Sequence, residues 1–325
     1  MKVARGFGAW VVLNNGSVLS VAGSDNDQFA GASTNATELF DPRAGKWSRA
    51  ADMLGWNDTL RRFVGGMHSA TLLTNGTVMA CCSAQGYQLW DPATDEWSLI
   101  PRPLHARDGN CGQRAENPVL CRPSFPRVTS LPNGSVVAVG GSVSTVTQNG
   151  GTTGFGSRST VTAQIWDPHS GNWSNFPSML FPRSHLGLLR LENGSLLAVG
   201  GFRSATSEIW DPKTGLWHRS GDLALGQRQN LNLVQIPRGD VFAVGGLTTN
   251  CDGQVNPCRR SSWATPSVER WDPNTGVWEV WRGMNSPAYC HALGQLGPLW
   301  HGVGMDNAAC GRRSGVMAAA LLNGS

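Results

Sequence analysis

Short apolar runs separated by tight-turn residues recur along the whole chain, which predicts strands rather than helices. Four of the turns are Asn-Gly pairs, at Asn15-Gly16, Asn75-Gly76, Asn133-Gly134 and Asn193-Gly194, and a fifth copy carries Arg238-Gly239. An apolar strand flanks each pair on both sides, the pattern of a β-hairpin whose two turn residues take positive φ. The following strand ends in Gly140-Gly141, Gly200-Gly201 or Gly245-Gly246, with Gly23 and Cys81-Cys82 as weaker copies. Further on comes Phe40-Asp41-Pro42, Trp90-Asp91-Pro92, Trp166-Asp167-Pro168, Trp210-Asp211-Pro212 or Trp271-Asp272-Pro273. Six residues after each Asp stands another tryptophan: Trp47, Trp97, Trp173, Trp217 and Trp278.

Each unit therefore predicts four antiparallel strands, a to d. In the fourth copy these fall near His185–Leu191, Ser195–Val199 and Ser207–Trp210, with the last starting at Trp217. Asp-Pro opens the c–d turn, where proline fixes φ and the Asp carboxylate can bond nearby amides. One such sheet cannot hide both faces, so the copies must stack around an axis. Composition agrees: 41 glycines and only 15% charged residues suit short strands and turns. The net charge of +4, with no long basic run, excludes a nucleic-acid stripe, and no apolar stretch is long enough for a membrane-spanning helix.

The string Leu-x-Asn-Gly, then five residues to Gly-Gly, then Trp-Asp-Pro and a further Trp, resembles the kelch repeat. The closest variety is that of the galactose oxidase-like superfamily. The implied fold is all-β, a kelch-type β-propeller of about six four-stranded blades spanning residues 1–325. The repeats run approximately 8–49, 67–100, 125–177, 184–220 and 229–281, with an irregular 289–325. Trp-Asp also suggests WD40, but the following Pro and second Trp, and the missing Gly-His, argue against it. The apolar run Phe7–Leu13 aligns with a first strand rather than a signal peptide. Arg312–Ser325 resembles another first strand cut at its turn, so a fragment of a seven-bladed ring stays open.

Turns a–b and c–d share one rim of such a ring, and loops b–c and d–a share the other. Every long insertion falls on the second rim, which is where binding is expected. That face is rich in arginine, including Arg61, Arg62, Arg127, Arg158, Arg183, Arg203, Arg219, Arg228, Arg259 and Arg260. The surplus points to a protein or glycan partner, with an anionic one in view. Trp56, Trp263 and Tyr289 are the aromatic candidates for contact. The nine repeat tryptophans are expected to fill the space between blades.

The resemblance also implies a copper radical oxidase as an alternative. Such enzymes use a tyrosine cross-linked to a cysteine and an axial tyrosine followed directly by a ligand histidine. Here only Tyr87 and Tyr289 exist, Tyr289-Cys290-His291 has a cysteine inserted, and Met67 stands where the cross-linked tyrosine would be. No catalytic residue or cofactor is assigned. His68, His185 and His291, each near the start of a strand a, are the metal candidates. A non-catalytic scaffold is the expected function, with the oxidase, a degenerate relative of it, or an extracellular carbohydrate-binding propeller as alternatives. Cys111 with Cys121, and Cys251 with Cys258, bracket two insertions and suggest loop disulfides. Eight Asn-x-Ser/Thr sequons occur, at Asn15, Asn35, Asn57, Asn75, Asn133, Asn172, Asn193 and Asn323, five of them in Asn-Gly turns that need no glycan to explain them. Secretion is left open, and a monomer is expected.

Overall fold

The computed structural model describes residues 8–24, 33–55, 69–83, 86–103, 126–149, 152–237, 239–248, 263–281, 283, 288–296, 299–306 and 315–317. Five four-stranded antiparallel sheets form the blades, numbered in chain order, with strands a to d running from the axis outward. Blade one is Ala9–Val12, Val18–Ser24, Ser33–Asp41 and Lys46–Ala50; blade two is Ser69–Leu72, Val78–Ser83, Gly86–Asp91 and Glu96–Leu99. Blade three is Arg127–Ser130, Val136–Val139, Ala163–Trp166 and Trp173–Phe176. Blade four is Gly187–Arg190, Leu196–Val199, Ser207–Asp211 and Leu216–Arg219. Blade five is Asn232–Gln235, Val241–Val244, Val268–Trp271 and Trp278–Val280.

A sixth sheet has three strands, Ala288–Leu296, Leu299–Asp306 and Gly315–Met317. Its first strand lies against strand a of blade five on one side and strand a of blade one on the other, so six inner strands surround the axis. Gly315–Met317 pairs with the middle strand of this sheet, Gly302 opposite Met317. It is the outward third strand of this sheet, and the rest of 312–325 lies outside the described residues. No helix of the described residues is long and apolar enough to cross a membrane.

The turns follow from short-range hydrogen bonding. In blade one, Leu13 N donates to Ser17 O and Gly16 N donates to Leu13 O, which encloses Asn14, Asn15 and Gly16 in a three-residue loop. Only the glycine is left-handed, with φ of 84° at Gly16, 87° at Gly76 and Gly134, and 85° at Gly194. The two-residue turn expected from Asn-Gly is therefore replaced by a type I turn closed by a glycine bulge. Asparagine earns its place differently: the Oδ1 of Asn15, Asn75, Asn133 and Asn193 accepts from the backbone N–H two residues on, at 2.9–3.1 Å. The Asp-Pro turns behave as expected. Asp41, Asp91, Asp167, Asp211 and Asp272 each accept from the amide two residues later.

Strand b shows why the blades must stack. Val136, Val137, Ala138 and Val139 are all buried, although successive side chains point to opposite faces. Val136 and Ala138 join Met79 and Val128 in a core with blade two; Val137 and Val139 join Leu196 and Ala198 in a core with blade four. Blade four repeats the division, with Leu197 and Val199 meeting Val241 and Ala243 of blade five. The repeat tryptophans fill these seams and hold them. Trp97 Nε1 donates to Ala51 O, Trp173 Nε1 to Pro101 O and Trp217 Nε1 to Pro177 O, at 2.7–2.8 Å. Each acceptor belongs to the link that arrives from the preceding blade. In blade five Trp278 Nε1 reaches Ser207 Oγ, which passes the bond to Gly221 O.

The register corrects one sequence alignment. Cys81 pairs with Ser69 as Val199 pairs with Gly187, so it stands at the position of Val199 and is not a substitute for the glycine that follows it. It is fully buried and disulfide-bonded, so its sulfur, 3.7 Å from Pro126 O, has no proton to share there. In blade one Ala22, at φ 52°, takes the place of the first glycine.

Trp217→Phe should remove the bond to Pro177 O, an exposed residue whose carbonyl water can reach, costing about 0.5–1.5 kcal/mol. Trp217→Ala should cost about 3–5 kcal/mol by opening the seam. The exposed neighbour Leu216 should tolerate alanine within about 0.5 kcal/mol. Urea unfolding midpoints of the three variants check this ordering.

Candidate functional site

The loop rim is best defined around blade four. Between blades three and four the b–c connection of blade three rises as a hairpin, Ser142–Asn149 paired with Thr152–Ser159. At blade five the corresponding connection forms a small sheet, Leu247–Thr248 between Arg228–Gln229 and Trp263–Ala264. Blade four itself has only a short tip, Gly200 to Thr206. Its base is fixed by Gly201 N donating to Arg228 O and Phe202 N donating to Ser184 O, at 2.9 and 2.8 Å. A side chain at Gly200 would meet Arg228 O at 2.3 Å, so glycine is required there.

At the summit, Phe202 is 46% exposed and the Arg203 guanidinium stands 5.2 Å from its ring centroid. Arg203 also holds φ of 58°, a conformation costly for a residue with a side chain. The tip thus presents an aromatic face with a cation stacked on it, between two built-up connections.

Beneath the rim the arginines do something else. Arg183 is fully buried, with Nε 2.9 Å from Glu208 Oε1 and its remaining donors on Gly200 O, Ser204 Oγ and Thr206. Glu208 also accepts from Leu180 N at 2.5 Å and Phe181 N at 3.1 Å. Arg228 makes the same kind of pair with Glu269, which accepts from Ala224 N. Burial pulls both guanidinium pKa values below their usual range, Arg228 to about 10, and the Glu208 carboxylate opposes the shift at Arg183.

Arg127 donates to Leu186 O, and Arg219 pairs with Asp222 at 2.9 Å. The arginine surplus expected on this face is therefore partly interior or neutralised. The acids that neutralise the buried arginines, Glu208 and Glu269, come from strand c and not from the loops.

A repeat-wide signal marks these pairs. Two residues before each Trp or Phe of the Asp-Pro phrase stand Glu38, Gln88, Gln164, Glu208 and Glu269. Four residues before each strand a stand Arg5, Gly65, Pro123, Arg183 and Arg228. Glutamate occurs where arginine precedes, and glutamine where it does not. Gln88 accepts from Leu54 N and donates to Leu54 O, the link position that Leu180 holds for Glu208.

The other candidates are dispersed. Arg158 is half-buried at the base of the blade three hairpin, opposite Val143. Trp263 lies in the third strand of the small sheet, opposite Thr248. Tyr289 pairs with Met305 in the inner strand of the sixth sheet, and His291 falls within the register irregularity that follows it. Trp56, Arg61, Arg62, His68, Cys111, Cys121, Cys251, Cys258, Arg259 and Arg260 lie outside the described residues. Tyr87 packs in the core, edge-on to Trp173 with centroids 4.7 Å apart.

His185 is left-handed at φ 59°, and its carbonyl accepts from Asn230 N, its left-handed counterpart before blade five. Burial, and secondarily the Arg127 charge, lower its pKa to about 4. That neighbouring cation disfavours a metal ion at this imidazole. Among the described residues no three His, Cys, Asp or Glu side chains converge as a metal site. A shallow cleft of about 390 Å³ lies on the opposite rim of blade four, lined by Asn193, Ser195, Ile209, Asp211, Pro212, Lys213 and His218.

The His185 shift has a fixed sign. Its folded pKa lies below the unfolded 6.5, so its contribution to stability is present above that value and is lost as pH falls toward 4. His185→Asn, which copies Asn230, should match the parent at pH 7.5 and be the more stable protein at pH 4, by on the order of 2–3 kcal/mol. Thermal melts of both proteins across that range check it.

No protein-family model matches this chain, and no curated protein matches it either.

Proposed function

We propose that this propeller is a non-catalytic, kelch-type binding scaffold, and that it engages a partner protein through the b–c and d–a loop face. The observation that carries this reading is the Phe202–Arg203 tip. It combines an exposed aromatic ring, a stacked guanidinium and an unfavourable backbone conformation on a short connection between two extended ones. Interfaces concentrate binding energy in such aromatic and arginine anchors. Arg203 makes no salt bridge among the described residues and can take a carboxylate through two parallel hydrogen bonds, which favours an acidic contact on the partner. Among the described residues the opposite rim is built from repeated three-residue turns and Asp-Pro turns.

A photo-crosslinking residue placed at Phe202 should capture the partner from the protein's own cells, and the same residue at Lys213 on the opposite rim should not. Phe202→Ala should weaken binding of the captured partner about thirtyfold, and Arg203→Ala should flatten its salt dependence. Equal capture from both rims, or unchanged affinity in Phe202→Ala, would refute the loop-face reading.

A further inference from the structure

We propose that the hairpin rim is an N-glycosylated face, modified at Asn15, Asn75, Asn133 and Asn193 and at the neighbouring c–d turn residue Asn172. The four hairpin asparagines occupy the same turn position of four consecutive blades, and all five side chains are exposed. Each hairpin Oδ1 is engaged by the backbone two residues on, and none of the four Nδ2 groups donates a hydrogen bond among the described residues. The reactive nitrogen is therefore unengaged by the described residues at each of the four hairpin sites.

Turn chemistry accounts for Asn-Gly but not for the hydroxyl residue that follows. The bond goes to the backbone N–H of Ser17, Thr77, Ser135 or Ser195, which any residue but proline would supply. The fifth copy places Asp240 there and folds the same turn, with Ile236 N donating to Asp240 O. The hydroxyls of Ser17, Ser135 and Ser195 make no hydrogen bond among the described residues, and Thr77 Oγ1 donates back to Asn75 Oδ1. A hydroxyl present in four copies, and bonded in none of them beyond its own sequon among the described residues, completes a modification sequon.

Asn35 supplies the internal contrast. Its Nδ2 donates to Met53 O at 3.0 Å, and Asn35 itself is only half-exposed, whereas the rim asparagines are exposed. An oligosaccharide there would break the link between blades one and two, so the folded protein carries none. Asn57 and Asn323 lie outside the described residues. The disulfide at Cys81 fits the oxidising compartment in which such transfer takes place.

In the transfer, the asparagine Nδ2 bonds to C1 of the first sugar of a lipid-pyrophosphate-linked oligosaccharide. The C1–O bond to the pyrophosphate breaks, the lipid pyrophosphate leaves with the electron pair, and one Nδ2 proton passes to solvent. Sugar on Asn193 would cover the adjacent cleft, and the loop face would stay open. The proposal does not depend on the loop-face reading.

Site mapping of the full-length protein from its own cells tests it. Peptide-N-glycosidase digestion in heavy-oxygen water converts each occupied asparagine to a labelled aspartate, read by peptide mass. Labelled aspartate is expected at most of the five rim positions and none at Asn35. A bare rim, or an occupied Asn35, overturns the proposal. Ser195→Ala keeps the backbone N–H that Asn193 uses, so it should remove sugar from Asn193 alone while the melting temperature of the deglycosylated protein stays unchanged. Sugar persisting on Asn193 in that variant also overturns it.

Discussion

The middle blades of this ring each have two apolar faces and can hide neither by themselves. Strand b bears the constraint most plainly: alternate side chains of Val136–Val139 belong to different seams, yet all four are buried. A sandwich meets the same problem by pairing two sheets, each with one wet face. Here every blade is an inner layer, so the arrangement has to return on itself, and Ala288–Leu296 completes it between blades five and one. The polar groups trapped in the seams then need partners. The buried ring N–H of strand-d Trp97, Trp173 and Trp217 finds its acceptor on the arriving link, and the buried strand-c Glu or Gln finds its donor in the backbone amide three residues further along.

That strand-c position also explains how the loop face is held. Where it is Glu208 or Glu269, a buried arginine completes the charge and grips the carbonyls around the b–c connection. Arg183 alone ties the link into blade four to both ends of the Gly200–Thr206 tip. Phe202 and Arg203 stand on this clamp. Loops on a rigid base lose less entropy on binding than mobile ones, which suits a recognition surface.

The repeat phrases made the blades legible because each residue type has one local task. Asp41, Asp91, Asp167, Asp211 and Asp272 all close the same turn, and the strand limits of blade four agree with the pattern to within about two residues. The Asn-Gly turn type was misjudged because the dipeptide alone does not report the preceding loop residue. The loop face was legible as a place but not as a charge. Arg183 and Arg228 look like surface cations in the chain because their partners lie 25 and 41 residues away in another strand. Only alignment of the copies reveals the pairing of Arg with Glu. The tip could not be foreseen either, since the left-handed backbone at Arg203 and the stacking on Phe202 arise from packing against the next blade's link.

The rims thus divide the labour: repeated turns close one side, and buried ion pairs stiffen the other. The double-mutant cycle on Arg183 and Glu208 tests this most directly, using Arg183→Met, Glu208→Gln and the pair, with unfolding free energy as the readout. A removed partner leaves an uncompensated buried charge, so each single change should cost about 3–5 kcal/mol. The double change should cost less than their sum by about 2 kcal/mol or more. Strictly additive losses would contradict the account, because the loop face would then rest on something other than the pair.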